Sequence, residues 1–401
     1  MTVHPALLSE IETRVTNTQR LMRERGLDLL IVYGNNKLIG SLRYLTDYFA
    51  DRAGWISLGI DHVEIVDGAA AVLTPTSPPQ LLVDPGLMPT REICVDTIIG
   101  GDGFAAKAGD GLSLRNLERA ITEAGGVRTV GIETLDKFPA PLLLGLRASF
   151  PDIAFVRSTV VEELRLIKSR YDLDMMRRAA EIGDRAHAAV EEALRTRPGI
   201  TELELIRIAE ATMRLANPIY EDSCTNSPSL ICSSSTIAGT LLHLASGDKR
   251  IGPGDVVHWD ICMRYQGYTI DTSRTRAIGT APDSVKRAYD AVKEVHAAII
   301  AAARPGTPAV ELVRVGEAVA QRRGHTLWNR FIGHGLGWDG HERPDMGIEE
   351  MPLAENMVLA IEPRLAVDGR HLVGNEDMVV VTPGGGCSLT HFPADPLELK
   401  V

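Results

Sequence analysis

The chain has 401 residues, of which 44% are hydrophobic and 24% charged, and a net charge of −11. This is the composition of an ordinary soluble globular protein, long enough for two domains. No block of like charges offers a surface to nucleic acid or anionic lipid, and no apolar run approaches the ~18 residues of a membrane span, so neither partner is expected. The first 30 residues carry acids and no long apolar run, so a signal peptide is not expected. Five cysteines without paired spacing read as reduced thiols of a cytoplasmic protein.

Residues 6–25 have helical periodicity, and LDLLIVYG (27–34) reads as a buried strand. AAVLTP and QLLVDP form a strand pair across a Pro- and Ser-rich turn. RTVGIET is a further strand, and 137–149 a helix. Residues 1–157 are therefore expected to be an α/β domain. It carries no catalytic motif: GGDG (100–103) lacks the strand-then-helix setting of a phosphate loop.

From residue 158 to 401 the texture changes. Leu173, Met176, Ala180, Gly183, His187, Val190 and Leu194 recur at three- and four-residue steps, which predicts a long amphipathic helix. It stops at Arg197-Pro198-Gly199, and Thr201 with Glu204 offers a capping box for the next helix. The arrangement then recurs. Val285, Ala288, Val292, Val295 and Ile299 mark a second long helix, Arg304-Pro305-Gly306 ends it, and 308–322 is again helical. The repeat predicts an internal duplication.

Each helix pair is followed by a hairpin pattern, GPGDVVHWDI…GYTIDTSRT and LAENMVLAIEP…HLVGNEDMVVVT. Opposite positions in a hairpin share a constant index sum. A midpoint between Tyr265 and Gln266 makes Asp260 and Asp271 direct neighbours, and one at Gly369 does the same for Glu362 and Glu376. Facing residues place their Cβ atoms roughly 4.5–5.5 Å apart, so each pair would bring like charges together in strands that otherwise face a core. A shared proton, cationic side chains or metal ions would relieve the repulsion. Oxygen-rich clusters suit hard or borderline divalent cations. FIGHGLGWDGHERP (331–344) offers a histidine ligand in His334, with Gly333 and Gly335 leaving room for close backbone approach. Four carboxylates and a neutral imidazole bring about −4 of charge, which two divalent ions balance. One strand acid is usually solvated and one loop histidine incidental; five such residues at matched spacings are not.

LRLIKS (164–169), GYTIDTSRT, GHGLG, HERP, AIEP and NED stand in the order found in the pita-bread metallopeptidase superfamily, and the chain resembles its creatinase, prolidase and aminopeptidase P branch. The resemblance implies an α+β protein: a creatinase-like α/β N-terminal domain, then a pseudo-twofold pita-bread catalytic domain. It implies five ligands to two divalent ions, namely Asp260, Asp271, His334, Glu362 and Glu376. Asp271 and Glu376 would bridge both ions, Asp260 would complete one, and His334 with Glu362 the other. Manganese is the first expectation, with iron, cobalt or zinc as alternatives. His243 matches the histidine that contacts substrate, and His341 the one that assists proton transfer to the leaving group. Glu362 would manage the proton of the nucleophile. YLTD (44–47) resembles a YLTG-like strand of the N-terminal domain, and Trp55 or Arg52 is a candidate for a substrate pocket. A homodimer is implied.

The implied activity is cleavage of an amide C–N bond by metal-bound hydroxide, first of all on Xaa-Pro peptides by an aminopeptidase P or prolidase type. The alternatives are hydrolysis of a small non-peptide amide or cyclic C–N compound, creatinase-like or ectoine-hydrolase-like, and a non-enzymatic binding protein. Three departures bear on the choice. Arg364 replaces the Gly of the branch's EPG, Gly374 stands where an Arg commonly positions peptides, and Cys262 replaces a Gly. Arg364 and Gly374 share the index sum of Glu362 and Glu376, so the substrate-binding cation is expected to have crossed from one strand to the other.

Overall fold

The unbroken apolar run at 29–34 becomes a strand buried along its whole length. In the computed structural model, residues 5–35, 38–48, 68–83, 94–99, 111–217, 229–234, 247–328 and 332–400 are described. The chain divides into two units, Met1–Arg165 and Leu166–Val401.

In the first unit, α1 (Pro5–Glu24), β1 (Leu29–Gly34) and α2 (Gly40–Thr46) precede β2 (Ala69–Leu73), β3 (Gln80–Leu82) and β4 (Thr97–Ile99). Then come α3 (Leu114–Ala124), β5 (Thr129–Glu133), α4 (Ala140–Ser149) and β6 (Ala154–Ser158), and α5 (Val160–Leu166) follows in the sequence. The strands form one mixed sheet in the order β4-β3-β2-β1-β5-β6. Leu29, Ile31, Val130 and Ile132 pack with Leu117, Ile121, Leu142 and Leu146 of α3 and α4. The YLTD segment is not a strand but the end of α2. Asp47 closes that helix in the left-handed conformation, φ 56°, which Gly adopts freely and Asp tolerates.

In the second unit, α6 (Arg170–Thr196) and α7 (Glu202–Ala216) begin with capping boxes, Ser169 with Asp172 and Thr201 with Glu204. β7 (Leu230–Ser233), β8 (Val256–Tyr265) and β9 (Tyr268–Ile278) follow, and then α8 (Asp283–Ala302) and α9 (Ala309–Arg322) repeat the helix pair. The rest is β10 (Gly333–Gly335), β11 (Glu342–Asp345), β12 (Val358–Ile361), β13 (Arg364–Val367), β14 (His371–Gly374), β15 (Asp377–Thr382), β16 (Gly385–Ser388) and β17 (Glu398–Leu399). The sheets run β11-β10-β12-β15-β16 and β17-β9-β8-β7, with β13 and β14 as a separate pair. Val285, Val292, Val295 and Ile299 of α8 share a core with Leu312 of α9 and with Leu359, Ile361, Val379 and Val381 of β12 and β15.

The two hairpins differ in how their register compares with the index sums. β13–β14 pairs Arg364 with Gly374 and β12–β15 pairs Ile361 with Asp377, which is the expected sum. Glu362 and Glu376 therefore stand opposite each other where the ladder is interrupted. In β8–β9, Asp260 faces Ser273 and Asp271 faces Cys262. The acids are diagonal neighbours on one face rather than direct partners, because the two-residue turn is Gln266-Gly267, with φ 48° and 93°.

Candidate metal centre

Five elements deliver the site. Asp260 lies mid-β8, Asp271 on β9, His334 on β10, and Glu362 and Glu376 at the breaks between β12 and β13 and between β14 and β15. All five are buried. Glu362 N–H donates to the Ile332 carbonyl at 2.8 Å, and Glu376 N–H to that of Ser273 at 3.0 Å. The Glu376 carbonyl accepts from Thr272 Oγ1 at 2.8 Å and from Arg274 at 2.6 Å. The backbone around the last acid is thus fixed from β9.

His334 is set by its glycines. A Cβ on Gly333, at φ +139°, would meet the Ala360 carbonyl oxygen at 1.9 Å, and one on Gly335 would meet the Arg343 carbonyl oxygen at 2.0 Å. The close approach expected of these glycines is therefore to the backbones of β12 and β11. His334 Nδ1 is 2.9 Å from the Gly335 carbonyl, which can only accept, so Nδ1 carries the proton and Nε2 a lone pair. Burial, with His341 alongside, lowers its pKa to about 3 and keeps the ring neutral. Nε2 stands 3.6 Å from both Asp271 Oδ2 and Glu362 Oε1.

Ligand atoms of Asp271, His334 and His341 lie within 4.8 Å of one another, and the same holds for Asp260, Cys262 and Asp271 and for His334, Glu362 and Glu376. His341 is exposed, and its ring stacks on His334 at 3.8 Å. Its loop is held by Glu342, which accepts from Trp338 N–H at 2.8 Å and Asp339 N–H at 3.0 Å and pairs with buried Lys168 at 3.2 Å. The Cys262 thiol donates to Asp271 Oδ1 at 2.8 Å. Burial, then Asp271 and Asp260, pushes that thiol's pKa well up. Neither contact was anticipated, although Lys168 sits in the LRLIKS segment and Glu342 in HERP.

Arg364 faces Gly374 as the index sum predicts, but its guanidinium is turned into the acids. Nη2 is 2.8 Å from Asp260 Oδ2, 2.5 Å from Glu362 Oε2 and 3.9 Å from Glu376 Oε2. Trp55, Arg52 and His243 lie outside the described residues.

The acids carry more negative charge than one guanidinium neutralises. Burial, with the neighbouring carboxylates, raises the pKa of Asp271 and Glu376 well above the ordinary range. Burial, opposed by Arg364, raises that of Glu362 to about 7. Buried Asp260 Oδ1 and Glu376 Oε2 have no hydrogen-bond partner. An orphaned carboxylate oxygen is costly to bury, and two beside a neutral imidazole fit a divalent cation. Among the described residues no helix is long and apolar enough to cross a membrane.

The pattern that defines metallopeptidase family M24 matches residues 174–383, just over half the chain. The Xaa-Pro dipeptidase of Pyrococcus horikoshii is 30% identical over 271 residues, 66% of this chain and 74% of that one. An uncharacterized peptidase of Bacillus subtilis, YqhT, is 29% identical over 285 residues, 69% of this chain and 78% of that one. The solved Xaa-Pro dipeptidase from Bacillus anthracis superposes over 97% of this chain and 100% of its own with a TM-score of 0.78, and at 21% identity that likeness shows the shared pita-bread fold. The chain belongs to metallopeptidase family M24 and is a hydrolase that depends on divalent metal.

Proposed function

We propose that the chain is an Xaa-Pro peptidase of the prolidase or aminopeptidase P type, working with two divalent ions held by Asp260, Asp271, His334, Glu362 and Glu376. The observation that carries this is a set of overlapping clusters of four buried carboxylates and His334, whose Nε2 lies 3.6 Å from Asp271 and Glu362, with carboxylate oxygens of Asp260 and Glu376 orphaned. The Pyrococcus relative named Xaa-Pro dipeptidase supports the substrate class. Asp271 and Glu376 would serve both ions, Asp260 one of them, and His334 with Glu362 the other. Manganese, a homodimer and a cytoplasmic location complete the proposal.

Bound ions supply Lewis acidity at a carbonyl and make a water reactive near neutral pH. Glu362 is assigned the proton that such a water would give up. His341, at the exposed edge of the cluster, moves a proton from a ring nitrogen to the departing amine. Glu342 keeps its loop in place. His243 is assigned the contact with substrate.

A second reading, hydrolysis of a small non-peptide amide or cyclic C–N compound, is favoured by one observation. The cation expected to receive a peptide carboxylate, Arg364, is engaged by Asp260 and Glu362. Metal analysis followed by an assay panel with and without chelator separates the two. Turnover of Xaa-Pro di- and tripeptides establishes the first reading. Inertness towards them at full metal occupancy, with turnover of cyclic amides, establishes the second.

A further inference from the structure

Arg364 is committed to its inward pose by its cross-strand partner. A Cβ on Gly374 would lie 2.8 Å from Arg364 Cγ and 3.2 Å from His258 Cε1, so the arginine stem occupies the room that a side chain at 374 would take. The Arg at 364 and the Gly at 374 are therefore one steric unit. The stem delivers Nη2 between Asp260 Oδ2 and Glu362 Oε2, in a buried position.

The two sides of the cluster are not equivalent. Glu362 is divided between them: Oε2 meets Arg364, while Oε1 faces His334 Nε2 together with Asp271 Oδ2. An ion on the His334 side finds a neutral nitrogen and two oxygens that Arg364 does not engage. An ion that uses Asp260 finds a guanidinium already paired with it. A guanidinium stays protonated in proteins and cannot give up its charge to make way, so it must move.

We infer that Arg364 is a tethered competitor for the ion on the Asp260 side, so that metal loads in two unequal steps. The first ion goes to His334, Asp271 and Glu362. The second, which displaces the guanidinium, binds more weakly. This rests on the ligand assignment proposed above.

The test is titration of the full chain, stripped with chelator, with Mn²⁺ alone, the free ion being followed by electron paramagnetic resonance. The comparison is between wild type and Arg364→Met, which keeps the stem and removes the charge. In the wild type the second step is expected to be at least about tenfold weaker than in the variant, a difference of about 1.4 kcal/mol. A second equivalent that binds only to the variant is the limiting form of the same result. Two bound ions with an unchanged second step in Arg364→Met overturn the competition and leave the ligand assignment standing. Uptake of no ion by either protein overturns both. Arg364→Gln, checked by circular dichroism, replaces Arg364→Met if that variant does not fold, and the same outcomes apply.

Discussion

The imidazoles of His334 and His341 stack at 3.8 Å with 13° between their planes, one buried and the other exposed. A stacked neighbour can be a further ligand or a proton carrier, and the two roles separate on substitution. His341→Gln is expected to lower kcat by about 10²-fold while metal content and KM stay near wild type, as a positioned acid requires. Loss of metal in this variant would make His341 a ligand.

Asp271 meets His334 on one oxygen and the Cys262 thiol on the other. Asp271→Ala removes the acid assigned to both ions, so bound metal and turnover should both fall to background in elemental analysis and assay. Full metal occupancy in Asp271→Ala would refute the ligand set.

The acids make metal-induced stabilisation depend on pH. Glu362 rises from an ordinary carboxyl value of 4.5 to about 7 in the folded chain, and Asp271 and Glu376 are raised as well. A raised carboxyl contributes stability that is fully present below its unfolded pKa and is lost as pH rises through the folded value. Divalent ions replace those protons. The rise in Tm on adding Mn²⁺ to chelated protein should therefore be larger at pH 8 than at pH 5. An equal rise at both would contradict the sign.

Two glycines with positive φ should respond differently to alanine. At Gly333 the Cβ meets the backbone of β12 at 1.9 Å, whereas at Gly369, φ +63°, it meets open space. Gly333→Ala is expected to cost at least about 2 kcal/mol and to weaken metal binding, because β10 must shift. Gly369→Ala should cost about 1 kcal/mol, the left-handed penalty alone, and leave metal binding intact. Denaturant melts and metal titrations of both variants check this.

Helix pairs, the Thr201–Glu204 cap and the opposition of Glu362 and Glu376 were legible because each rests on local spacing. The β8–β9 register failed by two positions, since the index sum depends on which residues take positive φ. Gly267 in second place of the turn was the available signal. YLTD was misread as a strand although its last residue, Asp47, is a helix terminator in the left-handed region. The flanking glycines revealed that something approaches His334 closely, but not that neighbouring strands do. The direction of Arg364 was out of reach, since the cross-strand sum places its Cα while the room over Gly374 and the pull of three acids place its guanidinium.

Asp260 and Asp271 arrive after the first helix pair, and His334, Glu362 and Glu376 after the second. Neither half of the unit holds a complete set, so an ion held by these residues would tie together segments that are distant in the sequence. Its binding energy would be gained only when both halves have docked, and would oppose their separation. Such a centre would serve as a staple as well as a reagent. Stripping the metal should therefore first loosen the union of the two halves, before the strands within either one.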